Sequence, residues 1–414
     1  MPEFIRLLQP KSALDILLNN TLCRLGSEII PTADALGRIT SSLIKSPQAL
    51  PSFNRSAMDG YAVIAGNTYG ANDSLPVYLQ QKGEVFMGLE PSFAISENQC
   101  ALIHTGGMLP EGADAVVMLE NTQNIGNDIE VKEIEIYKPA AVGENVILMG
   151  EDVKLGEEII KAGTRLRAVE LGGLMALGLT NIQVFRKTRV GVISTGDEVT
   201  QPWLDIKNAQ VRDVNTYTIS SLVKQHNQEA ISYGICPDNY DILLEKATLA
   251  HKECDIVVIV AGSSASIRDL TSSVINQLGK PGVLVHGINI RPGKPLIIAI
   301  CDGKPVIGLP GNPLSAFVTA SLFLNPLMDK ISGLNDSHQQ IIFKGKITIN
   351  VSSKAGREDW IPIVIKNIAD ETLLEPVFFK SNLIFSLIKA DGLMKIPSDS
   401  SGLPIGSEVE YIKI

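Results

Sequence analysis

The spacing of apolar residues changes along the chain and marks parts of different structure. Near the N-terminus these residues recur at almost helical spacing with Ser12 placed as a cap, which predicts an amphipathic helix over residues 12–25. From about residue 45 to 146 the apolar runs are short and interrupted by Gly, Pro and Asn, as is typical of a compact β-rich domain. A further helix is predicted over residues 167–177, because Gly178 is suited to end it.

Beyond residue 188, apolar strands alternate with segments of helical length. The strands lack the regular alternation that one exposed face would produce, so both faces of their sheet are expected to be covered. The pattern predicts a doubly wound α/β domain built on a parallel sheet. The predicted strands are 190–194, 230–235 and 255–260, and the predicted helices lie near 215–226, 239–252 and 269–278.

The rest of the chain is predicted to be β structure. Two apolar runs are separated by Asp302-Gly303, a pair that favours the positive φ angles of a tight hairpin. Later apolar runs predict a small C-terminal β domain. The hairpin strands are 296–300 and 305–309, and the later strands are 341–350, 361–366 and 408–414.

Composition narrows the class of protein. A chain of 414 residues is long enough for roughly two to four domains. The net charge of -9 argues against a nucleic-acid binder, because no excess of cations is left to neutralise phosphates. The N-terminal segment carries charges where a signal peptide would be apolar, so no signal peptide is expected. The apolar runs are far shorter than the roughly 20 residues of a membrane helix, so no membrane span is expected. Five scattered cysteines without metal-ligand spacing favour a reduced, cytoplasmic protein.

Prolines and glycines interrupt an apolar run at Pro310-Gly311-Asn312-Pro313. Asn312 suits a helix cap and Pro313 the first helical position, so a strand is predicted to end here and a helix to begin. The exposed N–H groups of such a helix start attract anions, and Gly311 allows a phosphate to approach the backbone. Taken alone, the segment is explained equally well as a tight turn without a ligand.

Two other strands are also followed by small hydroxylated residues. In a doubly wound sheet these loops gather at the carboxyl ends of the strands, where ligands bind. Glu198 and Asp269 stand beside the loops as candidate Mg²⁺ ligands, although each alone is explained as a cap or a surface carboxylate. The candidate binding residues of the two loops are Ser194, Thr195, Gly196, Asp197, Gly262, Ser263 and Ser264.

Arg291 and Lys294 place two cations on a stiff turn, Arg-Pro-Gly-Lys-Pro. Recognition of an anion is favoured over a solvated basic turn, because other candidate anion loops belong to the same domain. In the β-rich part, Asp59 stands alone among small residues ahead of a strand. An Asx turn is the simpler explanation for Asp59 by itself.

Five segments match the motifs of a known family in the same order along the chain. On these residues the chain resembles the molybdopterin molybdenumtransferases, the MoeA and gephyrin E-domain family, nearly from end to end. The matching segments are SAMDGYAV at 56–63, TGGMLPEGADAVVMLE at 105–120, STGDEV at 194–199, RPGKP at 291–295 and GLPGNPLSA at 308–316.

The resemblance implies a multidomain fold of α/β plus β type in an elongated subunit. It also implies a homodimer with an active site shared between subunits, and the last step of molybdenum cofactor synthesis: adenylylated molybdopterin, molybdate and Mg²⁺ give the cofactor and AMP. The expected domains are an elongated linking and dimerisation domain (1–44 and 147–178), an inserted β-rich domain (45–146), a Rossmann-like molybdopterin-binding α/β domain (179–330) and a C-terminal β domain (331–414).

Functional residues are carried over from the family by similarity. Glu198 and Asp269 are expected to bear on Mg²⁺ and the phosphates, and Asp59, from the partner subunit, to help position the attack that releases AMP. The catalytic set is Asp59, Thr105, Asp152, Glu198 and Asp269. The set expected to bind the pterin and its phosphates is completed by Pro310, Gly311, Asn312 and Pro313. The expected molybdate pocket is Arg291, Lys294, Ser315, Arg357 and Ser381.

The chain departs from the family pattern in three places. The loop from Gly262 to Asp269 lacks the second glycine and has Arg268 where an acid is common. The pair Gly356-Arg357 is followed by unusual residues, and the segment around Ser381 lacks the usual small ones. The resemblance therefore supports metal binding at the loop from Gly262 to Asp269, and the molybdate pocket, less strongly than it supports the other site residues.

Other functions stay open beside the transferase. A non-catalytic molybdopterin-binding scaffold or carrier of the gephyrin type is one alternative, and the molybdopterin adenylyltransferase reaction is another, distinguishable by ATP consumption. The resemblance makes a molybdopterin adenylyltransferase and apo-molybdoenzymes candidate partners. Neither nucleic acid nor a membrane is expected as a partner. Molybdate and tungstate are nearly alike in size and charge, so either anion fits this pattern.

Overall fold

A computed structural model describes residues 7–22, 25–125, 132–261, 265–335, 342–368, 371–378 and 380–414, with residues 265–268 as backbone only. The chain divides into two compact units, one of residues 1–42, 162–171 and 180–414, and the other of residues 43–161 and 172–179. The helices of the described part are α1 Pro10–Asn19, α2 Ala168–Ala176, α3 Asn215–Gln225, α4 Tyr240–Glu253, α5 Ala265–Gln277, α6 Pro313–Thr319, α7 Asn325–Ile331 and the short α8 Phe385–Ile388. None of them has the length and hydropathy that a membrane span requires.

A six-stranded central sheet forms the middle of the first unit. Its first four strands are parallel, the fifth is antiparallel to the fourth, and the sixth is antiparallel to the fifth. In spatial order the strands are Glu229–Cys236, Arg189–Thr195, Ile256–Ala261, Lys304–Pro310, Ile297–Cys301 and Pro281–His286. The predicted hairpin is confirmed, because Asp302 and Gly303 have φ angles of 48° and 82°.

Helices cover both faces of the central sheet. In the strand Ile256–Ala261, alternate residues enter two separate cores: Val258 packs in the core that contains α3 and α6, and Val257 packs in the core that contains α4 and α5. Every residue of this strand is buried, which explains why its sequence shows no alternation. The expectation of a doubly wound α/β domain is confirmed.

The C-terminal part is a closed barrel that belongs to the same unit. The strand Glu358–Ile368 pairs with two neighbours, Glu371–Pro376 and Gly392–Ile396, and so closes the sheet. The other barrel strands are Phe343–Ile347 and Glu408–Lys413. A short strand from the α/β region, Ile290–Arg291, pairs in parallel with the start of the barrel strand Glu358–Ile368.

The second unit contains a six-stranded mixed sheet. Its strands, in spatial order, are Ala115–Met118, Gly60–Val63, Gln99–Ile103, Val77–Val85, Glu133–Ile136 and Thr122–Asn124. Short strand pairs complete the two units: Ser27–Pro31 with Asn181–Phe185, Val199–Thr200 with Val211–Arg212, Val351–Ser352 with Gly402–Leu403, Arg55–Ser56 with Val146–Ile147, and Ile44–Lys45 with Glu158–Ile160.

The first helix is shorter than predicted. It begins at Pro10, and its last carbonyls are satisfied by side chains: Asn20 Nδ2 donates to Ile16 O at 2.8 Å, and Thr21 Oγ1 donates to Leu17 O at 2.7 Å. These two polar side chains replace the next turn of the helix, so α1 ends at Asn19 and does not extend to residue 25. The four-domain division stays a prediction.

Candidate functional site

The turn after the strand Lys304–Pro310 leads directly into α6. Asn312 occupies the cap position with an extended backbone, and Pro313 is the first helical residue, as predicted. The predicted cap position is confirmed, but the Asn312 side chain makes no capping hydrogen bond. Its Nδ2 atom donates to Ser381 Oγ at 3.2 Å, and the turn is also held by Asn215, whose Nδ2 donates to Gly311 O at 2.8 Å.

Ser381 connects the C-terminal part to this turn through two atoms. Besides its hydroxyl, its carbonyl oxygen accepts the N–H of Leu314 at 3.2 Å. A tertiary contact therefore satisfies one of the first N–H groups of α6. The structure places Ser381 beside the start of α6, although the surrounding segment departs from the family pattern.

The loop after the strand Arg189–Thr195 is organised by a buried carboxylate. Ser194 Oγ donates to Asp213 Oδ1 at 3.2 Å and lies 2.8 Å from Thr216 Oγ1. The same Asp213 oxygen accepts the backbone N–H of Thr216 at 3.0 Å, near the start of α3. These bonds hold Ser194 and the start of α3 together, so Asp213 positions one wall of the cleft described next.

A cleft of about 550 Å³ opens at the carboxyl ends of the central strands, and we call it the polar cleft because nine of the 17 described residues that line it are polar or charged. Of the predicted binding residues, it brings together Ser194, Thr195, Glu198, Gly311, Asn312 and Pro313. Asn382 and Ile384, next to Ser381, form part of its wall. Pro310 ends a buried strand next to these residues. The predicted residues Gly262, Ser263 and Ser264 lie outside the described part of the chain.

Three carboxylates lie close together beside this cleft. The backbone N–H of Asp238 donates to Asp197 Oδ1 at 3.2 Å. Burial raises the pKa of Asp238 above its ordinary value, and the charges of Asp197 and Glu198 raise it further. Sequence reasoning missed Asp238, although it follows the end of a predicted strand, as Glu198 does.

Asp269 belongs to α5, where its carbonyl oxygen accepts the hydroxyls of Ser272 and Ser273. Its side chain is exposed. Within the described residues, no three His, Cys, Asp or Glu side chains surround one metal position. A metal ion would therefore need oxygen ligands from its substrate or from water in addition to the carboxylates of the chain.

The predicted molybdate residues come from four segments of the first unit: the turn with Arg291 and Lys294, α6 with Ser315, the start of a barrel strand with Arg357, and the segment with Ser381. Arg291 pairs in parallel register with Asp359 of the barrel, and Arg357 donates to both oxygens of Asp359, from Nε at 2.8 Å and from Nη2 at 3.2 Å. Gly293 packs against α6, where a Cβ atom would lie 2.3 Å from Thr319 Cγ2. Ser315, one turn earlier in α6, is buried, whereas Lys294 is exposed.

Asp59 and Thr105 form a pair in the second unit. Asp59 Oδ1 accepts the backbone N–H of Thr105 at 2.6 Å and its hydroxyl at 3.0 Å. The backbone bond is the main reason that the pKa of Asp59 lies below its ordinary value, followed by the hydroxyl bond. Asp152, the third predicted residue of this unit, is exposed, and its N–H donates to Leu50 O at 3.0 Å.

A second cavity of about 360 Å³ lies between α1, α7 and the barrel. Its walls include Leu14, Leu18, Phe323, Trp360 and Tyr411. These side chains are mainly apolar, and the candidate catalytic and binding residues are not among those that line it. The polar cleft is therefore the better candidate for an anionic ligand.

Family models match almost the whole chain. Residues 8–178 match the MoeA N-terminal region (domains I and II). Residues 191–330 match a probable molybdopterin-binding domain, and residues 344–414 match the MoeA C-terminal region (domain IV).

Curated relatives align over most of the same length. A molybdopterin molybdenumtransferase of Nostoc sp. is 33% identical, with 81% of this chain and 76% of the relative aligned. One from Haemophilus influenzae is also 33% identical, over 81% of this chain and 80% of the relative. The crystal structure of a molybdopterin biosynthesis MoeA protein from Pyrococcus horikoshii is 35% identical, covers 99% of each chain and has a TM-score of 0.83.

We expect Thr105→Val to raise the pKa of Asp59 toward 3.8 without fully restoring it. The variant loses the hydroxyl bond but keeps the backbone N–H bond, which has the larger effect. At a pH between the two pKa values, Asp59 would be ionised in the wild type and partly protonated in the variant. The measurement is a carboxyl-carbon NMR titration of Asp59, with Thr105→Ser, which retains the hydroxyl, as the control. An equal pKa in the valine variant and the wild type would contradict the assignment.

Proposed function

Because this chain belongs to the MoeA family, we propose that it is a molybdopterin molybdenumtransferase that inserts molybdate into adenylylated molybdopterin and releases AMP. Its role lies in molybdenum cofactor biosynthesis, and molybdopterin and molybdate are its substrates. The observation that carries the proposal is the polar cleft of about 550 Å³ at the carboxyl ends of the central strands. Two of the motif loops line this cleft, at Ser194 to Glu198 and at Gly311 to Pro313.

The substrates are anions, and the chain offers fixed donors for them. Adenylylated molybdopterin carries phosphates, which suit the backbone N–H groups of a loop that precedes a helix. Molybdate is a dianion, which suits the guanidinium groups of Arg291 and Arg357. Lys294 and the hydroxyls of Ser315 and Ser381 complete the proposed molybdate pocket.

We include Mg²⁺ in the proposal because its chemistry fits the carboxylates beside the cleft. Mg²⁺ is commonly held by one or two carboxylates together with substrate phosphates. Glu198 and Asp238 would hold it here, since the raised pKa of Asp238 reflects burial and then neighbouring negative charge, which a cation would offset. The bound ion would neutralise charge on the phosphates. Asp269, in the first turns of α5, remains a second candidate.

Asp59 is proposed to position the attack that releases AMP. Two donated hydrogen bonds from Thr105 fix one carboxylate oxygen and hold the pKa of Asp59 below its ordinary value. The other oxygen remains available to orient a reacting group. We propose that this pair acts in a homodimer, in which Asp59 of one subunit serves the cleft of the other.

We expect the purified chain to release AMP from adenylylated molybdopterin only when both molybdate and Mg²⁺ are present. Asp59→Ala should lower the rate at least about a hundredfold, because an oriented catalytic group is lost. AMP is measured by chromatography. Asp73→Ala, an exposed acid of the same unit, should retain the wild-type rate.

Two outcomes would contradict this function. Tight pterin binding by the wild type without AMP release would favour the scaffold or carrier alternative. Consumption of ATP and molybdopterin, with release of pyrophosphate and formation of adenylylated molybdopterin, would indicate the adenylyltransferase reaction.

A shared active site predicts that two inactive variants complement each other. When Asp59→Ala and Glu198→Ala subunits are mixed after partial unfolding and refolded together, AMP release should return to about a quarter of the wild-type rate. Half of the dimers would then be mixed, with one intact site of two. The control is each variant refolded alone. If the mixture stays as inactive as its components while wild-type chains refold with full activity, Asp59 and Glu198 serve the same subunit.

The metal proposal predicts that Asp238→Asn raises the Mg²⁺ concentration for half-maximal AMP release about tenfold, because one of two carboxylate ligands loses its charge. The same titration on Asp269→Asn tests the second candidate. Asp241→Asn, which changes an exposed acid at the start of α4, is the matched control. An unchanged Mg²⁺ requirement in Asp238→Asn would exclude Asp238 as a ligand.

A further inference from the structure

We propose that Asp359 is a positioning residue that holds Arg291 and Arg357 in place for molybdate. This inference rests on the proposed function, because it assigns the two arginines to the molybdate pocket. Asp359 itself would not touch the anion, because the carboxylate and molybdate are both negatively charged and repel each other.

Asp359 is almost completely buried, with 2% of its side chain exposed. A buried carboxylate is costly unless it is paired and hydrogen-bonded. Here both oxygens have donors: Arg357 Nε reaches Oδ1 at 2.8 Å, Arg357 Nη2 reaches Oδ2 at 3.2 Å, and Ser353 Oγ donates to Oδ2 at 2.9 Å. The two-point contact fixes the plane of the Arg357 guanidinium group.

The second arginine arrives from a different segment. Arg291 and Asp359 are register partners in neighbouring parallel strands, and Arg291 Nη1 lies 3.8 Å from Asp359 Oδ2. One carboxylate is therefore shared by a cation of the barrel and a cation of the Arg-Pro-Gly-Lys-Pro turn. Without it the two guanidinium groups would repel each other.

The alternation along the barrel strand separates Asp359 from its neighbours. Asp359 shares a strand face with Ile361 and Ile363, which lie in the barrel core. Glu358 and Trp360 point the other way, where Trp360 Nε1 donates to Glu358 Oε1 at 2.6 Å and both line the apolar cavity. Glu358 is thus a matched control: an acid next in sequence, in a different environment.

The shared carboxylate leaves the arginines able to bind a further anion. Arg291 is 54% exposed and Arg357 32% exposed, and the described part of the chain shows no acceptor for Arg357 Nη1. Two guanidinium groups lie near this one buried carboxylate, so one positive charge remains. Gly293 packs against Thr319 of α6, which brings the Arg291 turn to the helix that carries Ser315 and begins beside Ser381.

The test is the KM for molybdate in AMP release by Asp359→Asn, a variant of nearly unchanged shape. We expect this KM to rise about tenfold, as when one partner of a buried charge pair is lost, while the rate at saturating molybdate changes less than about threefold. Affinity for adenylylated molybdopterin, measured by calorimetry, should stay within about twofold. Glu358→Gln should leave both constants unchanged.

Two further variants separate positioning from folding. Ser353→Ala removes only one hydrogen bond to Asp359 and should raise the molybdate KM about twofold to threefold. If Asp359→Asn does not fold, this variant tests the positioning role of Asp359 in its place. In an Arg357→Gln background, Asp359→Asn should raise the molybdate KM by a smaller factor than it does in the wild type, because only Arg291 is left for Asp359 to hold.

The outcomes separate this inference from the proposed function. Wild-type chain without molybdate-dependent AMP release would overturn the function and this inference with it. Active wild type with an unchanged molybdate KM in both Asp359→Asn and Ser353→Ala, or with equal losses of pterin and molybdate affinity, would overturn the positioning role alone.

Discussion

The candidate site depends on one connection, the turn at Gly311 and Asn312 between the last parallel strand of the central sheet and α6. The strand is buried between two neighbours, and α6 is buried against the same sheet, so neither end of the turn is free to shift. Asn215 holds the turn from the α3 side, and Ser381 holds it from the C-terminal part. Because the cleft and the proposed molybdate pocket both border α6, this turn relates the positions of the pterin loops and the molybdate residues.

Much of this architecture follows from local rules in the sequence. Strands buried on both faces read as continuous apolar runs, as Ile256–Ala261 does, and Asp302-Gly303 has the positive φ angles that a tight hairpin requires. Local rules fail where a tertiary partner competes. Asn312 is a good capping residue by preference, but its side chain binds Ser381, which is 69 residues away in sequence. A capping preference describes what a residue does when no better partner is brought near it.

The part of the site that could be predicted from the sequence is the part formed by motif loops that directly follow strands. Ser194, Glu198 and Pro313 meet at one cleft because parallel strands end at the same edge of their sheet. Asp213, Asp238 and Asp359 were not found from the sequence, since the role of a carboxylate depends on the donors and charges that the fold brings to it. Asp238 follows a strand in the same way as Glu198, and that position was the available signal. The contact of Asp359 with Arg291 had no such signal, because the two residues lie in different segments and only the partner Arg357 is close in sequence.

The distribution of charge explains how a chain of net charge -9 can bind two anions. On the proposed function, the molybdate side has cations of its own, and the buried Asp359 determines where Arg357 and Arg291 point. The phosphate side is different, because Asp197, Glu198 and Asp238 place negative charge beside the cleft. Phosphates brought next to these acids would be repelled unless a cation from solution lay between them. We therefore expect the chain to bind molybdate directly through its arginines, and to bind the phosphates of adenylylated molybdopterin through a divalent ion.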